Sequence, residues 1–184
     1  MPKNKNKDSD NIYFIFLRYV IIALLGLGNL AVFYIIFTPL TVYPVYYILK
    51  LFYQVSIENI SLFVTGINST IFQIDLVEAC IAGAAYYLLF ILNLSTSISL
   101  KKRIYSLLFS FISLLILNIL RIMILSFMFV NQLAYFDITH KIFWYAVSTI
   151  FVIGIWFLTV YIFSIKKIPV YSDLQSILKI IRKH

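Results

Sequence analysis

Apolar residues along this chain fall in long runs separated by short polar or charged clusters. Ile12 to Phe37 is apolar except for Arg18 near its start and Asn29. A helix needs about 20 such residues to cross the hydrocarbon core of a bilayer. The run reads as a first span, and as a retained anchor, being too long for the apolar stretch of a cleaved leader. Thr38-Pro39 is expected to end it, because proline disfavours helix in the residue before it. Val77 to Leu94, extending towards Ser99, reads as a second span closed by Lys101, Lys102 and Arg103. Asp75 and Glu78 stand in the spacing of a capping box, which predicts a helix start there. Leu107 to Val130 forms a third run, interrupted by Asn118 and Arg121. Ile142 to Ile165 forms a fourth, with Trp144 and Tyr145 at its start.

The segments between the runs read differently. Tyr43, Tyr46, Tyr47, Phe52 and Tyr53 crowd Leu40 to Ser56, with Lys50 among them. Aromatic residues concentrate at the membrane interface, so this stretch is expected to be an amphipathic helix lying there. In Glu58 to Leu76, two short β-prone stretches flank Gly66-Ile67-Asn68-Ser69, a pattern that predicts a short external hairpin. Asn131 to Lys141 is a polar connection holding Asp137 and His140. The fold expected is an all-α integral membrane protein: about four spanning helices, the interfacial helix and the hairpin-like segment. It forms one membrane-embedded domain over 1–184, with a polar tail at 1–11, a bundle over 12–165 that includes the external segment 38–76, and a basic tail at 166–184.

Composition agrees. Of the 184 residues, 62% are hydrophobic and only 12% charged, and the mean hydropathy is +0.98. A soluble domain carries about 25% charged residues, so this chain has too little polar surface to face water all round. The net charge of +8 calls for no nucleic-acid partner, because basic residues gather on the cytoplasmic side of membrane proteins. With four spans and both termini cytoplasmic, the lysines of the first tail, Lys101 to Arg103 and the last tail all lie inside. Lys50, Lys141, Cys80 and His140 then lie outside. A single Cys excludes an internal disulfide, and one Cys with two His makes no usual zinc site. No cofactor is expected.

Three residues stand out chemically. Arg121 lies within a span, where a charge costs at least about 2.5–3.5 kcal/mol and is rare without a use. It lies about 13 Å below the end of its run, too deep for easy snorkelling. Asn118, three residues earlier, shares its face. Cys80 opens the second span, where the helix dipole favours a thiolate; the plainer alternative is a small apolar filler, and neighbouring Glu78 opposes a thiolate. His140 precedes the fourth span and alone reads as a solvated loop residue. With Cys80 it supplies the usual proton partner of a thiol nucleophile, and Arg121 supplies a cation for an oxyanion. Gly83, Ala84 and Ala85 would let spans two, three and four pack closely around them.

Glu78-Ala79-Cys80, Asn118-Ile119-Leu120-Arg121-Ile122 and His140 before a last span resemble the exosortase/archaeosortase family, from about Thr38 to Trp156. Small size, Thr38-Pro39-Leu40-Thr41 and Phe136-Asp137 look most like short archaeal members, the pacearchaeosortases. The resemblance implies a membrane-embedded cysteine transpeptidase with Cys80, Arg121 and His140 as catalytic residues. Its substrates would be membrane proteins with a C-terminal motif, a membrane helix and a basic cluster. Its acceptor would be a nucleophile, by analogy with the family a lipid amine. Asn118, Asp137 and Glu78 are candidates to support the three. The chain departs from the family at Cys80-Ile81-Ala82-Gly83, where many members have Cys-Ser-Gly or Cys-Thr-Gly. Two other readings stand beside this one: an intramembrane cysteine protease that hydrolyses without transfer, and a non-enzymatic membrane subunit whose Arg121 pairs with a partner helix.

Overall fold

A computed structural model describes residues 16–165 except 18, 25, 29, 67, 68 and 97. The expected tails at 1–11 and 166–184, and Arg18 and Asn29, lie outside the described residues. The chain is mostly helical with one small sheet. Three helices are long and apolar enough to cross a membrane: Ala31–Leu49, Leu100–Val130 and Phe136–Ile162.

The first apolar run does not end at Thr38-Pro39. Helical residues between 16 and 27 give way to a turn at Gly28 and Leu30, and Leu30 takes a left-handed conformation before the next helix. That helix, α1 (Ala31–Leu49), runs straight through Pro39 and Pro44. The interfacial helix expected over Leu40 to Ser56 is therefore not formed. Its first half continues α1 and its last residues begin a strand. The reason is the stripe Phe33, Phe37, Thr41, Val45 and Leu49, all buried and each four residues from the last. Packing along one helix face outweighs local propensity, and apolar surroundings offer the freed carbonyls no water to unwind towards.

The segment after α1 is a three-stranded antiparallel sheet rather than a hairpin alone, in the order β1 (Gln54–Glu58), β2 (Ser61–Thr65), β3 (Ile71–Asp75). β1 alternates polar and apolar residues, the half-buried strand pattern, and pairs with β2 from Gln54↔Thr65 to Glu58↔Ser61. Leu62 and Val64 of β2 are fully buried. Asp75 does not cap the following helix. Its carboxylate accepts hydrogen bonds from Ser61 Oγ at 2.6 Å and Gln73 Nε2 at 3.0 Å, and these hold its pKa below the ordinary carboxylate value.

The second apolar run is broken. A single turn, α2 (Glu78–Ile81), and a helix, α3 (Gly83–Leu94), meet at Ala82, whose φ of 62° is left-handed. At about 1.5 Å per residue, the 12 residues of α3 rise about 18 Å, less than a full span by themselves. Gly83 allows a close approach, although to α1 rather than to the later spans. A Cβ there would stand 2.6 Å from Tyr34 Cε1.

α4 (Leu100–Val130) is the central helix. Ser106, Ser110, Leu114, Asn118, Ile122, Ser126 and Val130 form its buried face at a constant spacing of four. The polar members reach other elements. Asn93 Nδ2 donates to Ser106 Oγ at 2.5 Å, and Ser110 and Thr159 hydroxyls pair at 2.9 Å. The sheet rests on the far end of α4 from Lys101–Arg103, where Asn131 Nδ2 donates to Tyr53 Oη at 2.8 Å and Phe72 meets Phe129 at 5.5 Å. The last helix starts earlier than expected. α5 (Phe136–Ile142) passes through a π-helical turn at Phe143–Val147 into α6 (Ser148–Ile162), so Asp137 and His140 sit on helix.

Two outcomes follow from these contacts. Gly83→Val should lower stability by about 1–3 kcal/mol through overpacking against Tyr34, with part recovered in Gly83→Val/Tyr34→Ala, as read by thermal unfolding in detergent. Asp75, with its pKa lowered on folding, contributes stability above its unfolded pKa of about 3.9 that is lost as pH falls through the folded value. Asp75→Asn should melt below the parent at pH 6, and the gap should close below about pH 4.

Candidate active site

Cys80 lies on α2, at the end of a connection that leads directly out of β3. The turn that carries it is held by charged and amide donors from α4. Asn118 Nδ2 donates to the Cys80 carbonyl at 2.7 Å. Arg121 Nη2 donates to the same carbonyl at 3.3 Å and to that of Ala79 at 3.4 Å. Arg121 Nη1 donates to Ser148 Oγ at 2.7 Å, and Ser148 in turn donates to the Phe143 carbonyl at 2.7 Å, inside the π turn. One guanidinium thus ties the Cys80 turn, α4 and the start of α6 together. Arg121 Nε is buried and has no partner among the described residues.

His140 reaches the same place from the other side. Its ring stacks on Phe136 at 5.6 Å and 14° and lies 5.9 Å from Trp144. Phe136 lies 5.2 Å from Phe129, which meets Phe72 of β3. A row of aromatic rings therefore runs from the sheet to His140. The π turn begins directly after α5 and shifts the phase of the helix at the point where His140, Phe143, Trp144 and Ser148 all face one space; such turns recur at functional sites.

That space is a cavity of about 470 Å³, lined by Cys80, Arg121 and His140 together. The size suits a drug-sized or short peptide ligand. Cys80 is a half-buried free thiol. Among the described residues no hydrogen bond joins it to His140; the two share the cavity across open space. Glu78 lines the cavity beside Cys80. Asn118 is buried behind the Cys80 carbonyl. Asp137, in the first turn of α5, is exposed and outside the cavity lining. Among the described residues no group of His, Cys, Asp and Glu could hold a metal ion.

No family model, curated protein or solved structure matches this chain.

Sequence reasoning did not single out Ser148, the aromatic row, or the wall that β3 provides. Ser148 gave no signal, being one hydroxyl in an apolar run. The Ala82 turn did carry one. An L-residue at a left-handed φ costs roughly 1–2 kcal/mol, and the break needed to aim Cys80 falls on a Cys-Ile-Ala-Gly stretch whose small residues tolerate it. Ala82→Gly should accordingly stabilise the protein by up to about 1 kcal/mol. A rise in the thermal midpoint in detergent checks this. An unchanged or lower midpoint would mean the left-handed turn carries no strain.

Proposed function

We propose that this protein is a membrane-embedded cysteine transpeptidase. It cleaves the C-terminal sorting signal of membrane-tethered proteins and transfers them to an acceptor. The observation that carries the reading is that Cys80, Arg121 and His140, on three separate elements, line one cavity. The same three residues carry the resemblance to exosortases and archaeosortases. In many of those, glycine stands two residues after the cysteine. Here that position is Ala82 in the left-handed conformation that favours glycine.

The chemistry runs in two stages. Cys80 Sγ, its proton passed to His140, adds to the carbonyl carbon of the scissile bond. The C–N bond breaks, His140 returns the proton to the leaving amine, and a thioester remains on Cys80. An acceptor amine then attacks the thioester, its proton passes through His140, and the thiol is released. Arg121 fixes the Cys80 turn and places a permanent positive charge beside the tetrahedral oxyanion. Its long bonds to the Ala79 and Cys80 carbonyls are ones a developing anion can compete for. Glu78 lies at the cavity wall where a cationic amine would enter.

The membrane supports this chemistry by confinement. A substrate anchored by its own helix meets the site in two dimensions and with restricted orientation. The active site faces outward. Arg121 lies 18 positions after Arg103 in α4, about 27 Å along the helix, close to the thickness of a bilayer core. The basic triplet then marks the cytoplasmic end. The non-enzymatic reading, in which Arg121 awaits a partner helix, is disfavoured because its Nη groups already bond within the chain.

Cys80→Ala should abolish processing of a membrane-anchored precursor in cells. His140→Ala should slow it by about 10²–10⁴-fold, and Arg121→Ala by about 10²–10³-fold. Precursor cleaved at the normal rate in Cys80→Ala would overturn the mechanism. Mass spectrometry of the new C-terminus separates transfer from hydrolysis, because a free carboxylate means that no acceptor was used.

A further inference from the structure

The cavity wall on the side of the nucleophile is one unbroken run, Gln73 to Cys80. Its first part is β3, and among the described residues β3 is an edge strand, paired with β2 on one side only. Which backbone groups face the open side follows from the ladder. Gly66 N–H donates to the Thr70 carbonyl and Leu76 N–H to the Ile60 carbonyl, and the register between them is unbroken from Thr65↔Ile71 to Ser61↔Asp75. Hydrogen-bonded and non-hydrogen-bonded pairs alternate in an antiparallel ladder. Phe72 and Ile74 therefore spend their N–H and C=O groups on β2. Ile71, Gln73 and Asp75 point theirs away from it, and Gln73 and Asp75 do so in the cavity wall.

Natural edges are guarded by lysine, proline or a bulge. β3 reads Ile-Phe-Gln-Ile-Asp, with no lysine, proline or bulge and Asp75 as its one charge, and Ile71 is 66% exposed. The Asp75 carboxylate is already engaged, accepting from Gln73 of β3 and from Ser61 of β2. Free donors and acceptors repeating every second residue match one ligand class, an extended polypeptide.

We propose that the free edge of β3 is the substrate-docking strand, pairing with the residues just before the scissile bond and delivering their carbonyl to Cys80. The identity of the occupant rests on the transpeptidase reading. Residues after the cut run into a membrane helix whose backbone groups are already bonded, so the upstream side is the extended one. Its C-terminal end must reach Cys80, and β3 also points its C-terminal end towards Cys80, so the two run parallel. Gln73 and Asp75 each bond the peptide units flanking one substrate residue.

The probe is a short chloromethyl ketone peptide of alternating valine and threonine, with chloroacetamide as the reagent that needs no strand. Either alkylates Cys80: an S–C bond forms, chloride leaves, and the thiol proton passes to solvent. Labelling of the full-length protein in detergent is followed by mass spectrometry. The peptide should label Cys80 faster than chloroacetamide. Single N-methylation along the peptide should slow it roughly 2- to 10-fold at alternate amides and leave the intervening ones unaffected. Gln73→Pro removes an outward N–H without touching the ladder to β2. It should slow the peptide similarly and spare chloroacetamide, while Gln73→Ala and Ile71→Pro spare both. Should Gln73→Pro slow both reagents through misfolding, the N-methyl scan on the unsubstituted protein decides. N-methyl effects without alternation, or a peptide no faster than chloroacetamide, overturn the pairing. If pairing fails while processing still needs Cys80, only the docking mode is wrong. If alternation holds while Cys80→Ala still processes precursor, the docking stands and the function falls.

Discussion

A half-buried guanidinium among apolar helices must find oxygen, and the geometry around Arg121 is the consequence. Each bond from a charged donor is worth about 1.5–3 kcal/mol, and leaving the charge unpaired costs several times that. The oxygens it finds belong to Ala79, Cys80 and Ser148. None is a carboxylate, so the cation keeps its net charge rather than cancelling it. These bonds, with the one from Asn118, also oppose the roughly 1–2 kcal/mol that the left-handed Ala82 costs. The break between α2 and α3 is thus stable because Arg121 is there to hold its carbonyls, and the break is what turns Cys80 into the cavity.

The same logic runs the length of α4. Ser106, Ser110 and Asn118 fall on its buried stripe, where they bond to neighbouring elements instead of facing lipid. Ser106 meets Asn93, Ser110 meets Thr159, Asn118 meets the Cys80 carbonyl. Association inside an apolar medium gains little from further burial of apolar surface, and interhelical hydrogen bonds and close packing set the register instead. The position of the site is therefore fixed by the same ladder that fixes the bundle.

Much of this was legible in the sequence. The apolar runs marked α4 and the last helix, and Arg121 stood out because a lone charge in such a run is costly. The three candidate residues were readable by chemical type, and they do share a cavity. What failed had physical causes. Pro39 and Pro44 signalled a break that the buried stripe of α1 overrides, since propensity is weaker than packing along five turns of helix. The aromatic crowd at Tyr43 to Tyr53 hid the strict alternation of Gln54 to Glu58, and with it β1. Asp75 and Glu78 had the right spacing for a cap, but Ser61, fourteen residues away in sequence, competes for the carboxylate. The π turn and Ser148 left no pattern to read, because both depend on where Arg121 arrives in three dimensions.

The two sides of the cavity are held by different forces. The Cys80 turn is held by directional hydrogen bonds from α4. His140 is held by ring contacts with Phe136 and Trp144, and among the described residues no hydrogen bond occupies its ring nitrogens. Stacking constrains the plane of an imidazole but not its slide within that plane. In the mechanism proposed above, Cys80 must be aimed, whereas His140 must visit first a thiol and then a departing amine. A wall held by hydrogen bonds facing one held by ring contacts suits both needs, and in that mechanism the open space between Cys80 and His140 receives the substrate carbonyl.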